Sequence, residues 1–197
     1  MIPQPEREQI VALINREVVP AIGCTEPIAV ALCVAKATEI LGTEPERIVA
    51  RLSANILKNA MGVGIPGTGM IGLPIAIALG ALIGKSAYRL EVLRDVDAEA
   101  VARGKRYVDE KRITIGLKEG IEEKLYIEIE AAAGDHTAVA VIAGGHTNFV
   151  FEARDGQSQL DRRGASAGEE EQNGPALSLR RVYDLSLIHI SEPTRPY

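Results

Sequence analysis

The chain has 197 residues, of which 46% are hydrophobic and 25% charged, with a formal net charge of −5. That balance belongs to a globular protein, and its acidity argues against nucleic acid, whose phosphates call for clustered Lys and Arg. With no Trp, two Phe and five Tyr the core must be aliphatic, and two cysteines, Cys24 and Cys33, are too few for a disulfide scaffold. The first residues lack the basic start and apolar run of a signal peptide. The most apolar stretch, residues 71–84, falls short of the roughly 20 residues that span a membrane. No membrane association is expected, and the default compartment is the cytoplasm, where thiols stay reduced.

In chain order, residues 5–19 read as an amphipathic helix, with Ile10, Leu13, Ile14 and Val18 at helical spacing. Pro20 stops it, and residues 23–26 make a tight connection. Pro27 suits the first position of a new helix, where its missing N–H costs nothing. That helix, 28–41, is apolar nearly all round and should be buried; Gly42 ends it. Residues 47–54 alternate as a strand, and 55–61 suit a helical turn. A glycine-rich loop covers 62–72, a second buried helix 73–83, and a charged, exposed helix 96–111. Residues 113–117, 124–132, 137–143 and 148–153 read as four strands of an antiparallel meander. The expected fold is α+β, with buried apolar helices packed on an antiparallel sheet of about four strands.

Residues 1–153 are expected to form the N-terminal part of a domain. Residues 154–174 are polar and rich in Gly, Ser, Gln and Glu, so 154–184 read as a linker leading into a further C-terminal part. Residues 185–195, LSLIHISEPTR, resemble the translation of a transposase-type sequencing adapter read through in frame. Residues 185–197, with His189, are therefore set aside as an artefact, and the natural product is expected to continue past Asp184.

The chemistry centres on Gly23-Cys24-Thr25-Glu26-Pro27. Gly23 adopts backbone angles closed to other residues, and the turn places Cys24 beside a helix N-terminus. There the helix dipole and free N–H groups favour the thiolate that a metal or a nucleophilic mechanism requires. A small buried cysteine that only packs is the plain alternative. Cys33 lies nine residues on, and nine steps of about 100° turn it to the opposite side, so the two cannot share a metal from one helix. Glu26 suits either proton transfer or capping of the helix.

Gly62 to Gly67 formally fits G-x-G-x-x-G, but no hydrophobic strand leads directly into it and Pro66 stiffens it, so a dinucleotide site is rejected. A backbone cradle for a substrate carboxylate and a tight connection both fit this loop, with Thr68 the side-chain candidate. Asn55, Lys58 and Asn59 share a helical face and suit an amino-acid carboxylate, or simple capping. His146, in Gly144-Gly145-His146-Thr147-Asn148, is a candidate base, since histidine is the side chain suited to proton transfer near neutral pH. His136 sits in a similar setting. No zinc-type ligand spacing is present.

Residues 18–37 (VVPAIGCTEPIAVALCVAKA), 55–82 (NILKNAMGVGIPGTGMIGLPIAIALGAL) and 144–156 (GGHTNFVFEARDG) resemble the N-terminal signature of the L-cysteine desulfidases, which share a domain with the alpha subunit of iron–sulfur-dependent L-serine dehydratase. The resemblance implies a [4Fe–4S] cluster held by three cysteines, with Cys24 one ligand and the others in an absent C-terminal half. It implies a lyase that β-eliminates a small L-amino acid, with L-cysteine giving pyruvate, ammonia and sulfide. Glu26 and His146 become the catalytic candidates, and Thr25, Asn55, Asn59, Thr68 and Asn148 the substrate-binding ones. L-Serine is the alternative substrate; a cluster-free amino-acid-binding or regulatory domain is the alternative of another class. A homo-oligomer is allowed, and this chain alone is expected to be inactive.

Overall fold

A computed structural model describes residues 3–164 and 178–183. The chain divides into two compact units, Pro20–Ala165 and Met1–Val19 with Ser166–Tyr197. In the smaller unit, helix α1 (Gln4–Glu17) starts behind Pro3, with Pro5 inside its first turn. Ile10 is buried, whereas Ile14 and Val18 are exposed, so the expected apolar stripe is only partly used. Residues 179–183 form a helical turn whose Arg181 pairs with Glu6.

The larger unit is built on helix α2 (Thr25–Leu41). Ile28 to Ala35 are each at most 1% exposed. Burying a large aliphatic side chain such as Leu32 contributes roughly 1.5–3 kcal/mol. Gly42, at φ 82°, closes the helix in the left-handed conformation that glycine takes without strain. Strand β1 (Arg47–Leu52) alternates buried Ile48, Ala50 and Leu52 with outward Arg47, Val49 and Arg51. Ser53 caps the short helix α3 (Ala54–Ala60) by accepting from the Ile56 N–H. The strand therefore ends at Leu52, two residues before its expected limit of Ala54.

Strands β2 (Gly64–Ile65) and β3 (Met70–Ile71) make a small hairpin inside the glycine-rich loop. Helix α4 (Leu73–Leu82) follows and packs on α2 through Gly80, where a β-carbon would stand 2.6 Å from Ala31 O. A 3-10 helix, Ser86–Glu91, leads to α5 (Ala98–Asp109). The expectation that this last helix is exposed is corrected. Its Ala100, Val101, Gly104 and Tyr107 are buried, and a β-carbon at Gly104 would meet Ile75 Cδ1 at 2.9 Å. The charges that suggested exposure occupy only its outer face.

The remaining strands are β4 (Ile113–Leu117), β5 (Tyr126–Ala133), β6 (His136–Ala143), β7 (Phe149–Arg154) and β8 (Gln157–Asp161). They join β1 in a six-stranded sheet of order β4-β1-β5-β6-β7-β8. The fold class is α+β, with a mostly antiparallel sheet. Two details differ from the sequence reading. β4 is not part of the meander but pairs parallel with β1, Ile48 facing Ile113. β8 lies within the polar segment read as a linker, and it pairs antiparallel with β7. Residues 185–197 lie outside the described residues.

Helix α2 covers β5 and β6 on one face of the sheet. The other face carries ions: Arg51 reaches Glu128 at 2.8 Å and Glu130 at 3.1 Å, and Lys118 Nζ and Tyr126 OH bond Glu128 at 2.8 and 2.7 Å. Burial alone would raise the Glu128 pKa, but donors from Lys118, Tyr126 and Arg51 bring it below the ordinary value. Among the described residues no helix is long and apolar enough to cross a membrane.

Candidate active site around Cys24

Cys24 occupies the N-cap of α2, preceded by Gly23 at φ 91°. A β-carbon at Gly23 would stand 2.8 Å from Pro66 Cγ, so glycine is required here both for the turn and for the approach of the hairpin loop. The turn is also tied on its other side, where the Ile22 N–H donates to Leu90 O at 3.1 Å.

The Cys24 thiol, half-buried, donates to Glu26 Oε2 at 3.0 Å. Thr25 Oγ1 donates to the same oxygen at 3.3 Å. Asn59 Nδ2, from α3, donates to Glu26 Oε1 at 3.4 Å. Residues 24, 25, 26 and 59 thus form one cluster at the mouth of α2, and Glu26 is its hub. Its side chain bonds Cys24, Thr25 and Asn59, and a backbone N–H at the helix start also favours its ionised form.

The charge state differs from expectation. The bond to Glu26 raises the Cys24 pKa, and burial adds to it; backbone N–H groups of the helix start act the other way but are outweighed. A carboxylate beside a sulfur opposes a second negative charge. The same bond lowers the Glu26 pKa, helped by Asn59 and Thr25. The resting pair is a neutral thiol donating to a carboxylate, not the thiolate that the helix dipole alone suggested.

Cys33 is 0% exposed, and its thiol donates to Ala140 O at 3.3 Å. Burial pushes its pKa far above the ordinary thiol value. It is a packing residue, as the helical spacing implied.

The other candidates lie apart. Thr68 is 7% exposed, donates to Ile65 O at 2.7 Å and accepts from the Met70 N–H at 2.9 Å, so its hydroxyl braces the hairpin turn. Asn55 is exposed and lines a cleft of about 490 Å³ with residues 117–124. Asn148 closes the β6–β7 turn by donating to Ala143 O at 2.9 Å. His146 sits in that turn, half-buried, with no hydrogen bond among the described residues. The turn shares a sheet end with Ser53, since Gly144 N and Ser53 N bond Leu125 O and Tyr126 O. His136 pairs with Asp155 at 2.9 Å on the exposed β6 start. Among the described residues no group of three metal-ligating side chains assembles.

The molecule is thus an α+β protein with a thiol–carboxylate–amide cluster at a helix mouth. Over 94% of its length the chain is 69% identical to a UPF0597 protein of Phocaeicola vulgatus, and over 93% it is 65% identical to the UPF0597 protein BF3560 of Bacteroides fragilis. A UPF0597 protein of Chromobacterium violaceum is 43% identical over 91% of the chain. The chain spans only 43%, 43% and 42% of these three relatives. No family model and no solved structure matches. The expected kinship with L-cysteine desulfidases and L-serine dehydratase alpha subunits is overturned: the likeness lies with UPF0597 proteins, a name that states no activity. A capped helix with a cysteine and a glycine turn reflect local backbone demands, and such motifs do not establish descent.

Proposed function

We propose that the full-length protein is a lyase that β-eliminates a small L-amino acid, L-cysteine above L-serine, with Cys24 at the reacting centre. The observation that carries this reading is the half-buried Cys24 thiol with Glu26 at 3.0 Å and Asn59 holding the far oxygen of that carboxylate. A thiol placed so has a proton acceptor in contact and a helix N-terminus behind it.

At rest the proton stays on sulfur, because the Cys24 pKa is raised and that of Glu26 lowered. As a metal ligand Cys24 would serve as the thiolate, since coordination deprotonates a thiol outright, and the Glu26 carboxylate in contact would accept its proton or pass it to solvent. Glu26 is the residue placed to move a proton here, and Thr25 and Asn59 keep its oxygens in place.

A [4Fe–4S] cluster would supply a Lewis-acidic iron, but it needs three or four thiolates. The described residues offer one accessible thiol, Cys24, because the Cys33 thiol is buried against backbone carbonyls. They do not hold a cluster by themselves. As a cluster ligand, Cys24 would join thiolates from the part of the full-length protein that this chain does not span. A reducing compartment such as the cytoplasm suits such a thiol.

The test is turnover by full-length protein purified anaerobically, with iron and acid-labile sulfide measured alongside. Sulfide and pyruvate from L-cysteine are expected, with a loss of at least 100-fold in Cys24→Ser. A Cys24→Ser protein that keeps full activity would sink the proposal. Amino-acid binding without any turnover would instead mark a binding domain.

A further inference from the structure

From Asn59 to Gly84 the chain carries no charged side chain. That suits the buried helix α4, but not the hairpin before it, which meets solvent. β2 and β3 form a sheet of their own, apart from the six-stranded one. Their inner face is satisfied: Ile65 lies in the core and Met70 packs against it. Alternation along the strands puts the next pair, Gly64 and Ile71, on the outer face. Ile71 is 68% exposed there, and Met61, just before the hairpin, is 54% exposed. The two are neighbours, because a β-carbon at Gly72, next to Ile71, would stand 2.8 Å from Met61 O.

Glycine commonly answers a turn or a tight contact. Gly62 and Gly64 answer neither. They do not stand at positive φ, and a β-carbon on either would meet nothing within 4 Å among the described residues. Glycine weakens a strand, and within one it often marks a place where another backbone or a ligand approaches closely. Exposed strand edges are ordinarily guarded by charge, Lys above all, against pairing with other segments. This hairpin has no such guard.

We propose that the outer face of this hairpin, formed by Met61, Gly62, Gly64 and Ile71, seats an apolar segment from the part of the full-length protein that this chain does not span. The chain spans 43% of its Phocaeicola vulgatus and Bacteroides fragilis relatives, so more than half of a protein of their length lies outside it. A second copy is the poorer occupant. A stable interface between separate chains buries roughly 1,200–2,000 Å², far more than two side chains and a glycine edge supply. A tethered segment needs less, because attachment holds it at a high effective concentration. The seated segment lies beside Cys24, since Pro66 of the same hairpin abuts Gly23. The seat does not depend on what reacts at Cys24, so it stands or falls apart from the lyase reading.

Met61 reports on the seat in the wild-type full-length protein. Peroxide converts an accessible methionine to its sulfoxide, and peptide mass spectrometry reads the rate at that position. Met61 is expected to oxidise at least tenfold more slowly in the native protein than in urea, and equally slowly after hundredfold dilution. Gly64→Val probes the same seat from the hairpin side. Valine suits a strand, and its β-carbon has open space here, so on a bare hairpin it should not lower the melting temperature. On an occupied one it displaces the segment: the protein melts several degrees lower, and Met61 oxidation rises towards the urea rate. Native wild type that oxidises at Met61 as fast as in urea overturns the proposal. Protection that is lost on dilution also overturns it, since that marks a second copy, and so does a Gly64→Val protein in which Met61 stays protected.

Discussion

Helix α2 holds two cysteines in opposite circumstances. At its mouth, Cys24 is half-buried, reaches the side chain of Glu26, and lies between the hairpin loop and the Leu90 carbonyl. In its middle, Cys33 is sealed between the sheet and neighbouring helices and donates only to backbone oxygen. The same functional group is chemistry at one end and filling at the other. What decides is not the helix but what meets it: a carboxylate and solvent, or carbonyls and methyl groups.

The most disruptive way to break this contrast is Gly80→Val. Its β-carbon would collide with the Ala31 backbone, so α4 must part from α2. A loss of roughly 1–3 kcal/mol or more is expected in urea or thermal unfolding, and the Cys33 thiol, which faces the sheet, should become reactive at lower denaturant than in wild type. A smaller change sharpens the contrast. Of these two cysteines, iodoacetamide should modify Cys24 in the metal-free native protein and reach Cys33 only after denaturation. Glu26→Gln removes the negative charge beside the sulfur. The Cys24 pKa should fall, and alkylation at mildly alkaline pH should speed up several-fold. No change in the pH profile of alkylation would refute the thiol–carboxylate bond as the cause of the raised pKa.

The smallest effect expected is on stability against pH, and its sign differs at the two limits. Glu26 has a lowered pKa, so its contribution is present above the ordinary carboxylate value and fades as pH falls through the native value. Cys24 has a raised pKa, so its contribution is present below the ordinary thiol value and fades as pH rises through the native one. The melting-temperature difference between wild type and Glu26→Gln should therefore be greatest near neutrality and shrink on both sides. A difference that is flat across pH would mean that the pair contributes nothing to folding.

Much of this arrangement was readable from residue order. The apolar runs before Leu41 and Leu82 announced buried helices, and Pro27 with Gly23 announced the helix mouth that holds Cys24. Where long-range contacts decided, reading failed. Nothing in Ile113–Leu117 says that it lies parallel to β1, because that pairing depends on α4 and α5 crossing between them. Gln157–Asp161 is polar because it forms an outer edge of the sheet, and polarity reads as loop. The charges of α5 hid its buried stripe around Gly104 and Tyr107. At the site, Glu26 was legible beside Cys24, and Asn59 was named but not as its partner 33 residues away.

The placement of β1 has a consequence for how the molecule comes into being. β1 is the first strand to be synthesised, yet both of its neighbours, β4 and β5, come late. Until residue 133 has emerged, the apolar faces of α2 and α4 have no complete sheet to rest on. Such long-range pairing slows folding and leaves greasy intermediates open to mis-association. A ribosome stalled within α5 would carry two of the most apolar helices in the chain with the centre of their sheet still unpaired, so a newborn chain of this kind has particular need of a chaperone.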